Sequence, residues 1–140
     1  MPGFERVVDA NLNRAREGLR VCEEVARFIL EDPRLTRRCQ TLRYRLSSVS
    51  KLFSSKRLLL CRSVSDDPGR PALRPKRSAH RDYGDLVVAN ARRIQESLRV
   101  LEEFARLGSI RLSHDLGSLR FHVYTVEKDL LRKLSALRHH

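Results

Sequence analysis

The sequence predicts an all-α protein, a four-helix bundle built from one helical hairpin that occurs twice. An internal duplication is the main observation, since 12 of the 20 positions of residues 8–27 are identical in residues 87–106. Residues 119–128 echo residues 42–51 in the same way, so the second helix of the hairpin is duplicated as well. Two hairpins with apolar stripes bury those stripes best against each other, which predicts a bundle.

The first repeat is predicted to span residues 4–53. Its first helix, at about 4–30, places apolar side chains on one arc of a helical wheel. A break follows at residues 31–33, because proline disfavours helix in the residue before it. The second helix, at 35–53, has its own buried side. The predicted core positions of the two helices are Val8, Ala15, Leu19, Cys22, Ala26, Ile29, Leu35, Leu42, Leu46, Val49 and Phe53.

The second repeat is predicted at residues 83–137, with helices at about 83–107 and 112–137 and a break at Gly108 and Ser109. An irregular loop, residues 54–82, joins the repeats, and prolines at 68, 71 and 75 exclude regular structure in its middle. This loop is either a plain linker or a functional loop. With 140 residues, the chain is expected to form a single domain.

The composition indicates an anionic partner. The formal net charge is +12, from 29 Lys and Arg against 17 Asp and Glu, so nucleic acid, a nucleotide and a phosphorylated metabolite all qualify. Eight Phe and Tyr and no Trp argue against stacking platforms for single-stranded nucleic acid. Three cysteines without paired spacing, and no signal peptide or membrane span, favour free thiols and a cytoplasmic protein.

A polar ridge occurs in both copies of the first helix. Each copy has an Asn within the apolar arc, an Arg one turn later and a Glu farther round the same flank. A buried amide must find hydrogen-bond partners, at a cost of roughly 1–3 kcal/mol if it does not. The ridge is either a polar helix edge or a functional site, and its occurrence twice favours the second reading. Its members are Asn11, Arg14, Glu17, Asn90, Arg93 and Glu96.

These residue types suit phosphoryl transfer between anions. The sequence has no Walker-type phosphate loop, no zinc-ligand spacing and no nucleophile elbow. Arginine neutralises the moving phosphoryl group, and an acceptor that is itself a phosphate needs no strong general base. The carboxylates of Glu17, Glu96 and Asp67 would then be free to bind Mg²⁺. Whether the repeats form one site or two stays open.

Residues 9–21 resemble the small hydroxymethylpyrimidine phosphate kinase family of thiamine biosynthesis, which is often fused ahead of thiamine-phosphate synthase. The resemblance continues at 88–103 and 119–128, and so covers almost the whole chain. The family's central loop usually reads Arg-Asp-x-x-Gly-Asp-Val-Gly. In this loop the residues that match are Arg62, Asp67 and Gly69, and those that depart are Ser63, Asp66 and Pro68.

The resemblance implies ATP-dependent phosphorylation of hydroxymethylpyrimidine phosphate to its diphosphate, with ATP and Mg²⁺ required. The duplicated ridge supplies the expected catalytic residues, which are Arg14, Glu17, Arg93 and Glu96. Substrate and phosphate binding is assigned to Asn11, Arg20, Arg43, Arg62, Asn90, Arg99, Arg120 and Tyr124. Expected partners are the phosphorylated pyrimidine, a second copy in a homodimer, and thiamine-phosphate synthase, with neither nucleic acid nor membrane.

A non-catalytic binding module is the alternative. Such a module would hold the pyrimidine phosphate, nucleic acid or another thiamine enzyme, and the net charge of +12 supports it. Salt separates these hypotheses, because binding to a nucleic-acid backbone weakens by roughly one unit of log-log slope per phosphate contacted.

Overall fold

Four α-helices and no strand make up the part of the chain that the computed structural model describes, residues 2–53 and 78–137. Helix α1 spans Pro2–Glu24 and continues as a π-helical turn, Val25–Ile29. The other helices are α2, Pro33–Leu52, α3, Tyr83–Ala105, and α4, Ile110–Leu137. The predicted all-α fold with two helical hairpins is therefore confirmed.

Each helix packs against two others, so the helices stand at the corners of a square. Helix α1 contacts α2 and α3, and α4 contacts α3 and α2. At one end the ring of Phe4 lies 6.3 Å from that of Phe53 and 5.9 Å from that of Phe104. At the other end Lys133 approaches Asp32, with 3.7 Å between Nζ and Oδ2. Neighbouring helices are therefore antiparallel, and the diagonal partners α1/α4 and α2/α3 run parallel.

The two hairpins are related by a pseudo-twofold axis that passes through the middle of the bundle. Where α2 and α4 cross, Arg45 contacts Nδ1 of His122 over 2.9 Å, and these two residues occupy the same position in their repeats. Hydrogen bonds also recur at equivalent places, such as those of Asn11 with Val7 and Asn90 with Leu86. The duplication seen in the sequence is thus a symmetry of the structure.

The core lies between all four helices and contains the apolar positions that the periodicity predicted. Of those, only Ile29 is partly rather than fully buried. Helices α1 and α3 approach closely at Gly18, where an added Cβ would lie 2.5 Å from Cγ1 of Ile94 and 3.0 Å from the carbonyl oxygen of Asn90. The missing side chain of this glycine lets α1 and α3 come together.

Side-chain caps explain where helices begin. Asp32 accepts a hydrogen bond from the backbone of Leu35 at 3.0 Å, and α2 therefore begins at Pro33, two residues before the predicted start. Ser109 accepts from the backbone of Leu112 at 3.1 Å, so α4 also begins two residues early. Proline at the first helical position fits this pattern, because its missing N–H has no partner to lose there.

Residues 54–77, most of the predicted loop, lie outside the described residues, and Arg62, Asp67 and Cys61 are among them. The other two cysteines are free and buried, as predicted. Burial raises the pKa of both Cys22 and Cys39 to about 12, so both are uncharged thiols. In the described residues, no helix has the length and apolar character needed to cross a bilayer.

Candidate functional site

The two asparagines of the ridge are buried and bonded within their own helices. Asn11 is 5% exposed and donates to the carbonyl oxygen of Val7 at 2.8 Å. Asn90 is 6% exposed and donates to that of Leu86 at 2.9 Å. The side-chain NH₂ group of each asparagine thereby has a hydrogen-bond acceptor within its own helix and needs no ligand. This geometry makes both asparagines part of the α1/α3 interface.

The Arg and Glu of the ridge join the two repeats. Arg93 on α3 donates from Nη2 to Oε2 of Glu17 on α1 at 3.1 Å. Arg14 and Glu96 are the equivalent residues with the repeats exchanged, but no ion pair joins these two among the described residues. One carboxylate of the ridge is therefore neutralised across the repeat interface, and the other, Glu96, is exposed and unpaired in the described part of the chain.

A second duplicated ion pair holds each hairpin together. Arg43 on α2 donates from Nε to Oε1 of Glu23 at 2.6 Å, and Arg120 on α4 donates from Nε to Oε2 of Glu102 at 2.7 Å. The carboxylates are the more buried partners, with side chains 6% and 13% exposed. The hydrogen bonds to these carboxylates raise the pKa of Arg43 and of Arg120 above the usual range. Both guanidinium groups are fixed in place and stay charged.

Two grooves lie at equivalent places, one in each hairpin. The first groove, between α1 and α2, has a volume of about 290 Å³ and is lined by Arg16, Glu17, Arg20, Arg43 and Ser47. The second groove, between α3 and α4, has a volume of about 610 Å³ and is lined by Gln95, Glu96, Arg99, Val100, Glu103, Phe104 and Arg120. Because α1 contacts α3 and α2 contacts α4, the grooves open on opposite sides of the bundle.

The second groove combines an apolar wall with charged groups. Val100 and Phe104 form the wall, and Arg99 is exposed with no ion pair to another described residue. At its edge, Gln95 donates a hydrogen bond to Oε1 of Glu127 at 3.1 Å. Desolvation raises the pKa of Glu127, with the bond from Gln95 opposing that shift. The groove thus offers a surface for a ring, guanidinium donors for an anion and one carboxylate, that of Glu96, without an ion pair among the described residues.

Comparison with known proteins identifies the family. The family model described as "ThiD2 family" matches residues 6–129, which is most of the chain. The chain belongs to the ThiD2 family.

The ThiD2 chain is also similar to proteins named thiamine-phosphate synthase. It is 39% identical to that of Thermosynechococcus vestitus over 127 residues, which are 91% of this chain and 35% of the relative. It is 39% identical to that of Gloeobacter violaceus over 138 residues, 95% of this chain and 39% of the relative. The protein of Rhodopirellula baltica is 33% identical over 132 residues, 94% of this chain and 35% of the relative. No solved structure matches the chain.

The ThiD2 chain thus spans little more than a third of the length of these relatives. What it shares with them is one segment, and that segment contains both repeats. Their printed name describes the longer proteins.

The structure divides the residues predicted for the site of this ThiD2 chain into separate sets. Glu17, Arg20 and Arg43 line the first groove, and Glu96, Arg99 and Arg120 line the second. Four ridge residues line neither groove, namely Asn11, Arg14, Asn90 and Arg93, and of these Arg93 and the backbone of Asn90 lie at the α1/α3 contact. Tyr124 is exposed on α4, in neither lining. The predicted residues in the described part of the chain therefore do not come together at one place, and those that line a groove are divided between two.

The metal prediction falls partly outside the described residues, because Asp67 lies there. Within residues 2–53 and 78–137, no three His, Cys, Asp or Glu side chains cluster closely enough to hold a metal ion. Glu17 and Glu96 line different grooves, so they cannot bind the same ion. Any Mg²⁺ at the second groove would take Glu96 together with groups outside the described residues or a bound phosphate.

Sequence reasoning missed the residues that support the grooves. Glu23 and Glu102 anchor the two groove arginines, and Phe104 and Val100 give the second groove its apolar wall. A signal for the glutamates was present, because each repeat carries an identical Glu in its first helix and an identical Arg in its second. No such signal marked Phe104, since its equivalent in the first repeat is Val25.

Proposed function

We propose that this chain catalyses the ATP-dependent phosphorylation of hydroxymethylpyrimidine phosphate to its diphosphate, in thiamine biosynthesis. Membership of the ThiD2 family and the similarity to proteins named thiamine-phosphate synthase support the pathway. One observation of the structure carries the choice of site. The second groove brings guanidinium donors, a carboxylate without an ion pair in the described part of the chain and an apolar wall together in a volume of about 610 Å³.

Each part of the second groove matches a part of the proposed substrates. The pyrimidine ring packs against Phe104 and Val100, an arrangement that buries aromatic surface. The guanidinium groups of Arg99 and Arg120 bind phosphate oxygens, and Arg120 is held ready by Glu102. We also propose that Arg14, the counterpart of Arg93 in the first repeat, supplies a further positive charge near Glu96, as Arg93 does for Glu17.

The proposed reaction needs positioning more than acid–base chemistry. An oxygen of the pyrimidine monophosphate, already ionised at neutral pH, attacks the γ-phosphorus of ATP, and the bond to the β–γ bridging oxygen breaks to release ADP. The arginines stabilise the charge on the moving phosphoryl group. Bound Mg²⁺ would supply further neutralisation, held by Glu96 and, in our proposal, Asp67.

The first groove repeats part of this machinery without its apolar wall. Its Glu17 is paired with Arg93 of the other repeat, so this carboxylate is less available than Glu96. We therefore place the transfer in the second groove. The enzyme that we propose as the partner of this chain, and as the user of its product, is thiamine-phosphate synthase, because the longer relatives carry that name.

The decisive experiment is a coupled assay of ADP release with Mg-ATP, comparing hydroxymethylpyrimidine phosphate, the unphosphorylated alcohol and pyridoxine as acceptors. Turnover is expected with the first acceptor. Arg99→Gln should reduce kcat/KM by about 100-fold, because it removes a donor to the transferring phosphoryl group. Arg111→Gln, at an exposed position of α4 outside both grooves, is the matched control for lost charge.

Two results would contradict the proposal. Equal losses in Arg99→Gln and Arg111→Gln would show that net charge, rather than the groove, matters. Absence of turnover while the pyrimidine phosphate still raises Tm would make the chain a binding module. If there is neither turnover nor a rise in Tm, salt-dependent binding to oligonucleotides would assign the positive charge to nucleic acid.

A further inference from the structure

The two grooves descend from one duplicated unit but differ in chemistry. Two differences bear on the linings. Arg16 of the first groove corresponds to Gln95 of the second, and Phe104 of the second groove corresponds to Val25, which is buried and lines neither groove. The first groove therefore has a positive charge that the second lacks, and the second has an aromatic surface that the first lacks.

The charges of the first groove favour an anion that has no ring. Arg16 bonds only the neutral side chain of Asn13, with Nη1 to Oδ1 at 3.3 Å, among the described residues. Arg20 makes one long ion pair, 3.4 Å, with Glu24, and both side chains are at least half exposed. These two guanidinium groups are therefore available to a ligand. Arg43 is available at its remaining donors, because Glu23 takes only Nε.

Glu17, the acidic residue in this lining, is already neutralised. Its Oε2 accepts from Arg93 at 3.1 Å. Arg20 and Arg43 are paired with Glu24 and Glu23, so Arg16 is the lining guanidinium that has no carboxylate partner among the described residues. The fork-shaped donors of three converging arginines suit phosphate oxygens. The volume of about 290 Å³ accommodates a diphosphate group and offers no aromatic surface for a base.

We propose that the first groove is a separate binding site for a phosphate or diphosphate group, with no requirement for a ring. The site stands apart from the transfer proposed for the second groove, since the two grooves open on opposite sides of the bundle. It does not depend on that reaction. The ligand is either a free inorganic anion or the same group on a larger metabolite, and both share the chemistry that Arg16, Arg20 and Arg43 recognise.

The second groove should not bind the same free anion. Its lining has Gln95 where the first groove has Arg16, and its Glu96, unlike Glu17, has no ion pair among the described residues. Without Mg²⁺ or a ring to pack on the apolar wall, the charge of Glu96 repels pyrophosphate. A titration with pyrophosphate in the absence of Mg²⁺ therefore tests the first groove selectively.

The experiment is a calorimetric titration of the folded full chain with inorganic pyrophosphate in the absence of Mg²⁺. Separate titrations use inorganic phosphate and the pyrimidine phosphate. Arg16→Gln gives the first groove the residue that the second groove carries. It should weaken pyrophosphate binding by about tenfold, the loss expected for one charge-assisted hydrogen bond. Arg99→Gln in the second groove and Arg111→Gln outside both should each change the affinity by less than about twofold.

Three outcomes would overturn the proposal. The first is no detectable binding of pyrophosphate to the wild-type chain. The second is an equal loss in Arg16→Gln and Arg111→Gln, which would indicate general attraction to the net positive charge. In the third, Arg99→Gln causes the larger loss, and the anion then sits in the second groove. Because the pyrimidine phosphate is also proposed to bind the second groove, only binding that Arg16→Gln weakens is assigned to the first groove. If Arg16→Gln weakens pyrophosphate binding alone, the site takes a free anion, and if it also weakens binding of the pyrimidine phosphate, the site accepts the same group on a metabolite. The interpretation of these binding measurements does not depend on whether the kinase assay succeeds.

Discussion

Arg93 of the second repeat donates a hydrogen bond to Glu17 of the first at 3.1 Å, and so ties together the two helices that contain the duplicated motif. The side chains are 43% and 66% exposed, and water screens the attraction between them. The pair therefore organises the surface between the grooves more than it stabilises the fold.

Glu17→Gln should accordingly lower the free energy of unfolding by less than about 1 kcal/mol. Urea denaturation followed by circular dichroism measures this change. The double variant Glu17→Gln/Arg93→Gln completes a cycle that isolates the pair. A coupling energy well above 1 kcal/mol would mean that the pair is a structural clamp.

The ion pair of Arg43 with Glu23 should matter more for stability. Arg43→Ala leaves a carboxylate that is 6% exposed without its partner, and we expect a loss of about 2 kcal/mol in the free energy of unfolding. Arg120→Ala should do the same in the second repeat, where Glu102 loses two hydrogen bonds.

Arg106→Ala is the matched control for both variants. Its ion pair with Glu103 is 3.6 Å long and more than 60% exposed on both sides, so its loss should cost less than about 0.5 kcal/mol. Chemical denaturation of the three variants under one set of conditions gives the comparison. Similar losses in all three would show that burial of the carboxylates is unimportant.

Gly18→Ala should destabilise the bundle by about 1–2 kcal/mol, because the new methyl group must displace Ile94 or the backbone of Asn90. Thermal melting measures the effect. Gly3→Ala serves as the control, since nothing lies within 4 Å of its added Cβ and alanine is the better helix former. A Gly18→Ala variant as stable as Gly3→Ala would mean that α1 and α3 separate easily.

Glu127→Gln should stabilise the fold at neutral pH. Burial raises the pKa of Glu127 above its ordinary value of 4.5, so the folded state resists ionisation that the unfolded state accepts. Ionisation therefore costs stability as the pH rises above 4.5. The amide avoids that cost and keeps an oxygen for Gln95, and its advantage should disappear as the pH falls below 4.5.

Asp129→Asn is the control, since we expect it to lower stability at neutral pH, where Glu127→Gln should raise it. The hydrogen bond from Arg38, 2.6 Å long, holds the pKa of Asp129 below its ordinary value of 3.8. Its charged form therefore contributes stability above pH 3.8, and that contribution is lost as the pH falls through the lowered pKa. The variant should melt below the wild type at pH 7 and approach it in acid. Parallel pH profiles for the two variants would refute both assignments.

The sequence predicted the fold well because periodicity and duplication are local signals. Val8, Leu19, Ile94 and Leu98 are buried as their spacing required. The grooves were harder to predict, because they depend on the register of antiparallel helices. That register is set by the close approach at Gly18, which no pattern within one helix reveals.

The ridge shows the same limit. Its asparagines were correctly expected to be buried, but spacing alone could not show that Arg93 would meet Glu17 while the equivalent Arg14 and Glu96 stay unjoined. Long flexible side chains at equivalent positions can pair differently, since exposed pairs differ by only a few tenths of a kcal/mol.

The contact of Arg45 with His122 bears on how such a protein arises. In a dimer of two identical hairpins, this position would meet its own copy on the symmetry axis, and two arginines there would repel. Joining the hairpins in one gene removes that requirement, because each copy then mutates alone. A guanidinium can face an imidazole acceptor only after that step. The same freedom lets two binding surfaces of common descent acquire different ligands within one polypeptide.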